Sequence, residues 1–342
     1  MVNKASPQHR VVLITGAAGF LAKPLVQSLA SSGKISLILA DVVQPEVPKG
    51  PRFIDASSGS SDLGGDQEKV HVFPIKTDLT VIDQVQALFK TTIGIPDVIY
   101  AMHGIMSRGS EDNFELGLRV NVDSIRLLLD AAVQFGATRV RPEPIRFIFT
   151  SSLAIYGGPL PDVVTPTTAT TPEGAYGAGK LASEVIINEY SRRGLVDARI
   201  LRLPTVVVRP GPPSRATSAF ISGIIREPLS GVQAICPIGS SLTDPELELP
   251  VWIASPEKTV SNLTYASVLP ASSFPPHTRS INLPGFTATV LELLKALEAV
   301  GGRRHWTWFI SRPALQMGFT GDNDGVLPIV QQFKKDLEEN KV

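Results

Sequence analysis

The chain has 342 residues and 43% of them are apolar, enough to bury a large core as one α/β unit or two lobes, so a disordered polymer is excluded. Lys+Arg and Asp+Glu both total 32, and a formal charge of zero excludes a global basic field that would attract nucleic acid or an anionic membrane. Cys236 is the only cysteine, which excludes an intrachain disulfide framework and a cysteine-built metal site; with the polar start Met1–Arg10 it leads us to expect a soluble, cytoplasmic protein with a small-molecule partner.

The first predicted element is the apolar run Val11-Val12-Leu13-Ile14, stopped by a glycine-rich turn and followed by an amphipathic stretch carrying Leu21, Leu25, Val26 and Leu29. This is strand, turn and helix. Gly16 allows the sharp turn, Gly19 leaves room for a pyrophosphate to approach the backbone at Phe20 and Leu21, and Ala22 keeps the helix close to the strand. Free amides at the helix start then face the phosphates, and Pro24 is harmless in that first turn because its missing N–H has no partner there. The same glycine spacing also occurs in ordinary loops.

Ile35–Ala40 is a second buried strand ending at Asp41. An acid at this place accepts both ribose hydroxyls of an adenosine and repels a 2′-phosphate, so NAD is expected over NADP; a turn-capping aspartate is the plainer alternative. Pro45–Asp66 reads as a surface loop. Val70–Ile75 is a third strand leading to Asp78-Leu79, then a helix through Val81, Val85, Leu88 and Phe89; Asp78 either accepts from the adenine amino group or caps that helix. Asp97–Met102 is a fourth strand with Ala101 and Met102 at its end, Val120–Phe135 a long helix with Asn121 near its start, and Pro144–Thr150 a fifth strand. Alternating strands and helices imply right-handed crossovers and a parallel sheet covered on both faces, with ligand at the carboxyl ends of the strands.

The candidate chemistry follows the fifth strand, in Ser151-Ser152-Leu153-Ala154-Ile155-Tyr156-Gly157 and in Tyr176-Gly177-Ala178-Gly179-Lys180. Tyr and Lys four apart share a helix face, which lets the ammonium stabilise a phenolate. Lowering a phenol pKa near 10 by about two to three units takes roughly 3–4 kcal/mol, within reach of a cation in a partly dehydrated site. Ser152, at the strand end on the ligand side, can donate to a substrate oxygen as it loses its proton, whereas Ser151 suits a structural hydrogen bond.

Taken together, Thr15–Ala22, Asp41, Asp78-Leu79, Asn121 in Asn-Val-Asp, Ser151-Ser152 with Tyr156-Gly157, and Tyr176 with Lys180 resemble the extended short-chain dehydrogenase/reductases, the NAD-dependent epimerase/dehydratase family. The resemblance implies a doubly wound Rossmann α/β fold, NAD as cofactor and a homodimer through the helices starting near Asn121 and Tyr176. It further implies Tyr176 as acid/base, Lys180 on the nicotinamide ribose, Ser152 polarising the reacting oxygen, Asn121 in the adjoining water and backbone network, and Pro204-Thr205-Val206 beside the nicotinamide. His103 is offset from the family's usual histidine and is expected to be structural. Family dehydratases place Asp-Glu where this chain has Leu153-Ala154, which disfavours dehydration because apolar side chains move no protons.

The segment Arg209–Leu229 is a proline-stiffened loop entering a short helix, and with Trp252–Pro256 and Ser261–Ala266 it resembles family members that oxidise C2 of a small sugar acid. Arg226 suits a substrate carboxylate through a bidentate contact, or else pairs with Glu227; Ser107 and Ser218 are hydroxyl partners for a polyol, or ordinary loop serines. A helix over Val290–Val300, the aromatic patch His305–Phe309 read as lobe core, and a polar helix near Ile329–Glu339 complete the chain. The expected division is an NAD-binding Rossmann domain over 1–208, with 250–270 returning to it, and a smaller substrate lobe from 209–249 and 271–342. A nucleotide-sugar epimerase and a non-catalytic NAD-sensing module are the alternative functions.

Overall fold

In the computed structural model, which describes residues 9–31, 34–57, 69–141, 143–165, 167–212, 216–239, 241–275, 277–301, 309–310 and 325–339, the first apolar run is β1 (Arg10–Thr15) and the stretch after the glycine turn is α1 (Ala22–Ser31). The chain continues through β2 (Ile35–Asp41), β3 (Phe53–Asp55), β4 (Val70–Lys76), α2 (Ile82–Ala87), β5 (Val98–Ala101), α3 (Ser107–Asp112), α4 (Phe114–Leu118), α5 (Ser124–Gly136) and β6 (Arg146–Ser152). Then come α6 (Ala175–Arg192), β7 (Asp197–Leu203), β8 (Thr205–Val206), α7 (Ala219–Leu229), β9 (Ile235–Cys236), β10 (Pro250–Ala254) and α8 (Pro256–Ala266). The last elements are β11 (Ser280–Asn282), β12 (Phe286–Thr289), α9 (Val290–Gly301), β13 (Phe309–Ile310) and α10 (Leu327–Glu338).

Eight strands form one sheet in the order β11-β7-β6-β5-β1-β2-β4-β3, and every pairing within it is parallel. Because successive strand residues point to opposite faces, Val11 and Leu13 pack with Val85, Leu88, Ile125, Leu128 and Ile187 under α2, α5 and α6. Val12 and Ile14 pack with Leu25, Val26, Leu29, Val260 and Leu263 under α1 and α8. The doubly wound Rossmann class is therefore present, with both faces of a parallel sheet buried. Among the described residues no helix is long and apolar enough to cross a membrane.

The structure departs from the sequence reading in three places. The helix expected over Val120–Phe135 begins as a π-helical turn, Arg119–Asp123, that follows directly on α4, and α5 starts only at Ser124. The segment expected to return to the Rossmann domain is split: α8 packs beside α1, but β10 pairs with β8 and β12 in a separate three-stranded sheet. The lobe expected from 271 onward first supplies β11, which pairs with β7 and forms the edge of the large sheet. Pro204 explains where the lobe begins: with no N–H it ends β7, and β8 leaves for the small sheet. A third core, including Ile221, Ile225, Ile253, Leu293, Leu294 and Val330, joins α7, α9 and α10. Residues 305–308 of the aromatic patch lie outside the described residues, and Phe309 begins β13.

Candidate active site

A cleft of about 1260 Å³ opens between the carboxyl ends of the parallel strands and the lobe. At one end lies the glycine turn. Gly16 has φ +70°, and a Cβ there would stand 2.8 Å from the His103 backbone N, so only glycine lets the turn press against the segment after β5. His103 fixes that contact from below: its Nδ1 meets the Thr15 hydroxyl at 2.7 Å and its Nε2 the Ser124 hydroxyl at 2.7 Å. Ser124 donates to the Val120 carbonyl at 2.6 Å, so the imidazole Nε2 is the donor to Ser124 and Nδ1 the acceptor from Thr15. Burial, with the Lys180 charge second, pushes His103 down to about 3, and the ring is a neutral strut between β1, β5 and α5.

Asp41 closes this end, its carboxylate accepting from the Ala18 N–H at 3.0 Å and the Val43 N–H at 3.1 Å. Asp78 accepts from the Thr80 hydroxyl at 2.7 Å and its N–H at 2.9 Å, bonds that hold its carboxyl below the usual range. Asp78 thus closes a turn onto Thr80 ahead of α2 rather than capping that helix, whose N-cap Val81 receives no side-chain bond, and it lines the cleft with Leu79. A side-chain-free turn at Gly16 and Gly19, the start of α1 behind it, a carboxylate at the end of β2 and apolar walls from Phe20, Leu21, Leu79 and Met102 fit a dinucleotide with an unphosphorylated ribose.

At the other end β6 delivers Ser152, whose hydroxyl accepts from the Ala154 N–H at 3.1 Å and caps the short turn Leu153–Ile155. The start of α6 is pressed onto that turn, because a Cβ at Gly177 would lie 2.0 Å from the Ala154 carbonyl oxygen. This close approach sets Tyr176 beside Ser152 in the wall of the cleft, near enough for the serine hydroxyl to act on the phenol. Lys180, one turn further on and 3% exposed, donates to the Thr150 carbonyl at 2.9 Å. Burial raises the Tyr176 phenol above its ordinary value, while the Ser152 hydrogen bond and the Arg209 charge pull it down. Burial also lowers Lys180 to about 8, with Glu184 acting in the opposite sense.

Of the remaining expected site residues, Ser107 (the first residue of α3), Ser218, Pro204, Thr205 and Val206 line the cleft. Ala101 is fully buried in β5 and does not. Asn121 is held under the surface by the π turn: its amide bonds the Ile105 N–H at 2.9 Å, the Ile105 carbonyl at 3.0 Å and Ser110 at 3.2 Å, and its carbonyl accepts from Ser183 at 2.7 Å. It thereby pins Gly104 over Lys180. Arg226 is a correction. It faces the buried side of α7, donates to the Arg209 carbonyl at 2.8 Å and to Glu227, and lies outside the cleft.

Sequence reasoning missed Arg209, which lines the cleft in its place, and Glu111, whose carboxylate accepts from the Ala175 N–H at 2.6 Å at the start of α6. It also missed a buried network below the site. Ser151 donates to Glu184, Glu184 pairs with Arg202 at 2.7 Å, Arg202 donates to the Tyr156 hydroxyl at 2.8 Å, and Tyr156 donates to Asn282 at 3.0 Å. The available signal was the register of Glu184, one turn past Lys180 on an otherwise buried helix face.

Comparison with known proteins agrees with this geometry. Residues 12–243 match the NAD dependent epimerase/dehydratase family. The chain is 38% identical over 291 residues to the D-erythronate dehydrogenase of Cupriavidus necator and 36% identical over 295 residues to that of Haemophilus influenzae, in each case covering 85% of this chain and 82% of the relative. The crystal structure of a nucleoside-diphosphate-sugar epimerase from Agrobacterium tumefaciens superposes with a TM-score of 0.80 at 30% identity, over 98% of this chain and 96% of that one. The chain belongs to the NAD-dependent epimerase/dehydratase family and is an NAD-dependent oxidoreductase of the extended short-chain type.

Proposed function

We propose that the protein oxidises the secondary alcohol at C2 of a small sugar acid, converting D-erythronate to 2-keto-D-erythronate. The observation that carries this reading is the convergence of Ser152, Tyr176 and Lys180 on one cleft at the carboxyl ends of the strands, with Lys180 Nζ 5.7 Å from the centre of the Tyr176 ring. Two relatives named D-erythronate dehydrogenase support the choice of substrate.

In this mechanism the substrate hydroxyl sits between Ser152 and Tyr176. The Tyr176 oxygen takes its proton and passes it to solvent, Ser152 donates to the oxygen that becomes the ketone, and the C2–H electron pair leaves as hydride. Gly16, Gly19, Phe20, Leu21 and Asp41, with Met102 and Pro204–Val206 further along the cleft, would hold NAD, which would supply the hydride acceptor. Lys180 would hold the nicotinamide ribose, and its ammonium adds positive charge 5.7 Å from the centre of the Tyr176 ring. Asn121 keeps the Gly104–Ile105 segment, and so Lys180, in place. Ser107 and Ser218 bind the remaining hydroxyls. Leu153 and Ala154 line the cleft and supply neither acid nor base from those two positions. We place the enzyme in the cytoplasm as a homodimer through α5 and α6, with Val185 of α6 (64% exposed) as an apolar side chain for the contact.

The 30% identity to a nucleoside-diphosphate-sugar epimerase favours a second reading, in which the hydride is returned and no net oxidation occurs. A screen of four- to six-carbon aldonates with NAD and with NADP separates them. Oxidation predicts NADH accumulation with NAD and an aldonate; tightly bound NAD, nucleotide-sugar inversion and no net NADH would identify the epimerase, and NAD binding with no turnover a sensing module.

A further inference from the structure

We infer that Arg209 is the cation that receives the substrate carboxylate and selects a 2-hydroxy acid over a neutral polyol. This deepens the oxidation reading above and rests on it. In a 2-hydroxy acid the carboxylate is bonded to the reacting carbon itself, and its oxygens are only three bonds from the hydroxyl that Tyr176 and Ser152 hold. An anchoring cation must therefore stand next to Tyr176.

Among the described residues, the lysines and arginines lining the cleft are Arg119, Lys180 and Arg209. Arg119 acts on Asp78, at the adenosine end. Lys180 lies beneath the site with its hydrogen bond to the Thr150 carbonyl. Arg209 lies three residues past the end of β8 and lines the cleft together with Tyr176 and Ser152, where its charge acts on the phenol.

Its placement is built rather than incidental. The Arg209 N–H donates to the Ser222 hydroxyl at 3.0 Å, and its carbonyl accepts from Arg226 at 2.8 Å. Its Nε donates to the Val206 carbonyl at 3.2 Å, and the guanidinium lies 5.6 Å from the centre of the Phe20 ring. Backbone and guanidinium plane are thus fixed from α7, β8 and the glycine turn. A planar fork held in this way suits a carboxylate, which it can meet with two parallel N–H bonds. Arg226, expected from the sequence to bind the carboxylate, is instead a positioning residue one step behind Arg209.

Phe20 belongs to the glycine turn, so a pyrophosphate contact is the rival role for Arg209, and the experiment separates the two. Wild type, Arg209→Met and Arg209→Lys are titrated with NADH alone and then, as NADH complexes, with oxamate, an unreactive mimic of a 2-oxo acid. The expected result is NADH affinity within about threefold in all proteins, oxamate binding lost by more than about a hundredfold in Arg209→Met, and an intermediate loss in Arg209→Lys, which keeps the charge but not the fork. Retained NADH binding reports that the variants fold. Oxamate binding unchanged in Arg209→Met, no oxamate binding by wild type, or a parallel collapse of NADH affinity would overturn the inference. Because the readout is binding, it is decided separately from whether wild type oxidises an aldonate: failure of the aldonate screen alone sinks the proposed oxidation.

Discussion

Lys180 Nζ stands 5.7 Å from the centre of the Tyr176 ring and donates to the Thr150 carbonyl at 2.9 Å. Ser152 and Arg209 line the cleft with Tyr176, and both act to lower the phenol. Two cations thus serve the acid/base candidate, Lys180 beside its ring and Arg209 acting on its phenol, with burial opposing the loss of its proton.

Tyr176→Phe keeps the ring and removes the oxygen. Turnover should fall by roughly 10²–10⁴, the range for loss of a positioned acid/base, with NADH affinity largely kept. Steady-state rates and an NADH fluorescence titration check this. Equal loss of both would mean that Tyr176 supports the fold instead.

Alcohol oxidation should speed up as pH rises, because burial raises the Tyr176 phenol and the base must lose its proton. Ser152 supplies a hydrogen bond that pulls the other way. Ser152→Ala should accordingly move the rise in kcat/KM to higher pH as well as lowering its plateau. A plateau that falls with no displacement along the pH axis would remove Ser152 from the phenol's hydrogen bonding.

Asp41 at the end of β2 is the expected discriminator between cofactors. Asp41→Asn removes the negative charge and should weaken NADH by about tenfold, the scale of one charge-assisted hydrogen bond, while narrowing the gap to NADPH. Paired NADH and NADPH titrations give both numbers.

His103 makes stability depend on acid pH. Its folded value of about 3 lies below the ordinary 6.5, so between those values the unfolded chain binds the extra proton. Stability from this group is complete above pH 6.5 and declines as pH falls toward 3, by up to roughly 4–5 kcal/mol. Urea midpoints should fall on acidification in wild type, and less steeply in His103→Gln. Equal slopes would show that other groups set the acid limit.

What the sequence made legible was local. The turn at Gly16 is readable because its positive φ and its contact with His103 require glycine, and Tyr176 with Lys180 because i,i+4 spacing on a helix is itself a geometry. The parts that escaped depend on which way an element faces after packing. Arg226 and Arg209 are equally plausible carboxylate anchors in one dimension, and only the burial of one face of α7 turns Arg226 inward. Glu184 and Arg202 look like charges on an amphipathic pattern until α6 and β7 pack and bring them to 2.7 Å. The π turn at Arg119–Asp123 and the three-residue strand β11 carry no composition signal, because neighbouring elements impose both.

The most direct measurement uses D-erythronate carrying deuterium at C2, incubated with NAD and the purified protein. Hydride transfer from C2 requires one deuterium in each NADH formed, matched mole for mole by 2-keto acid. NADH without deuterium, or deuterium left in the sugar acid with no NADH produced, would contradict oxidation at that carbon.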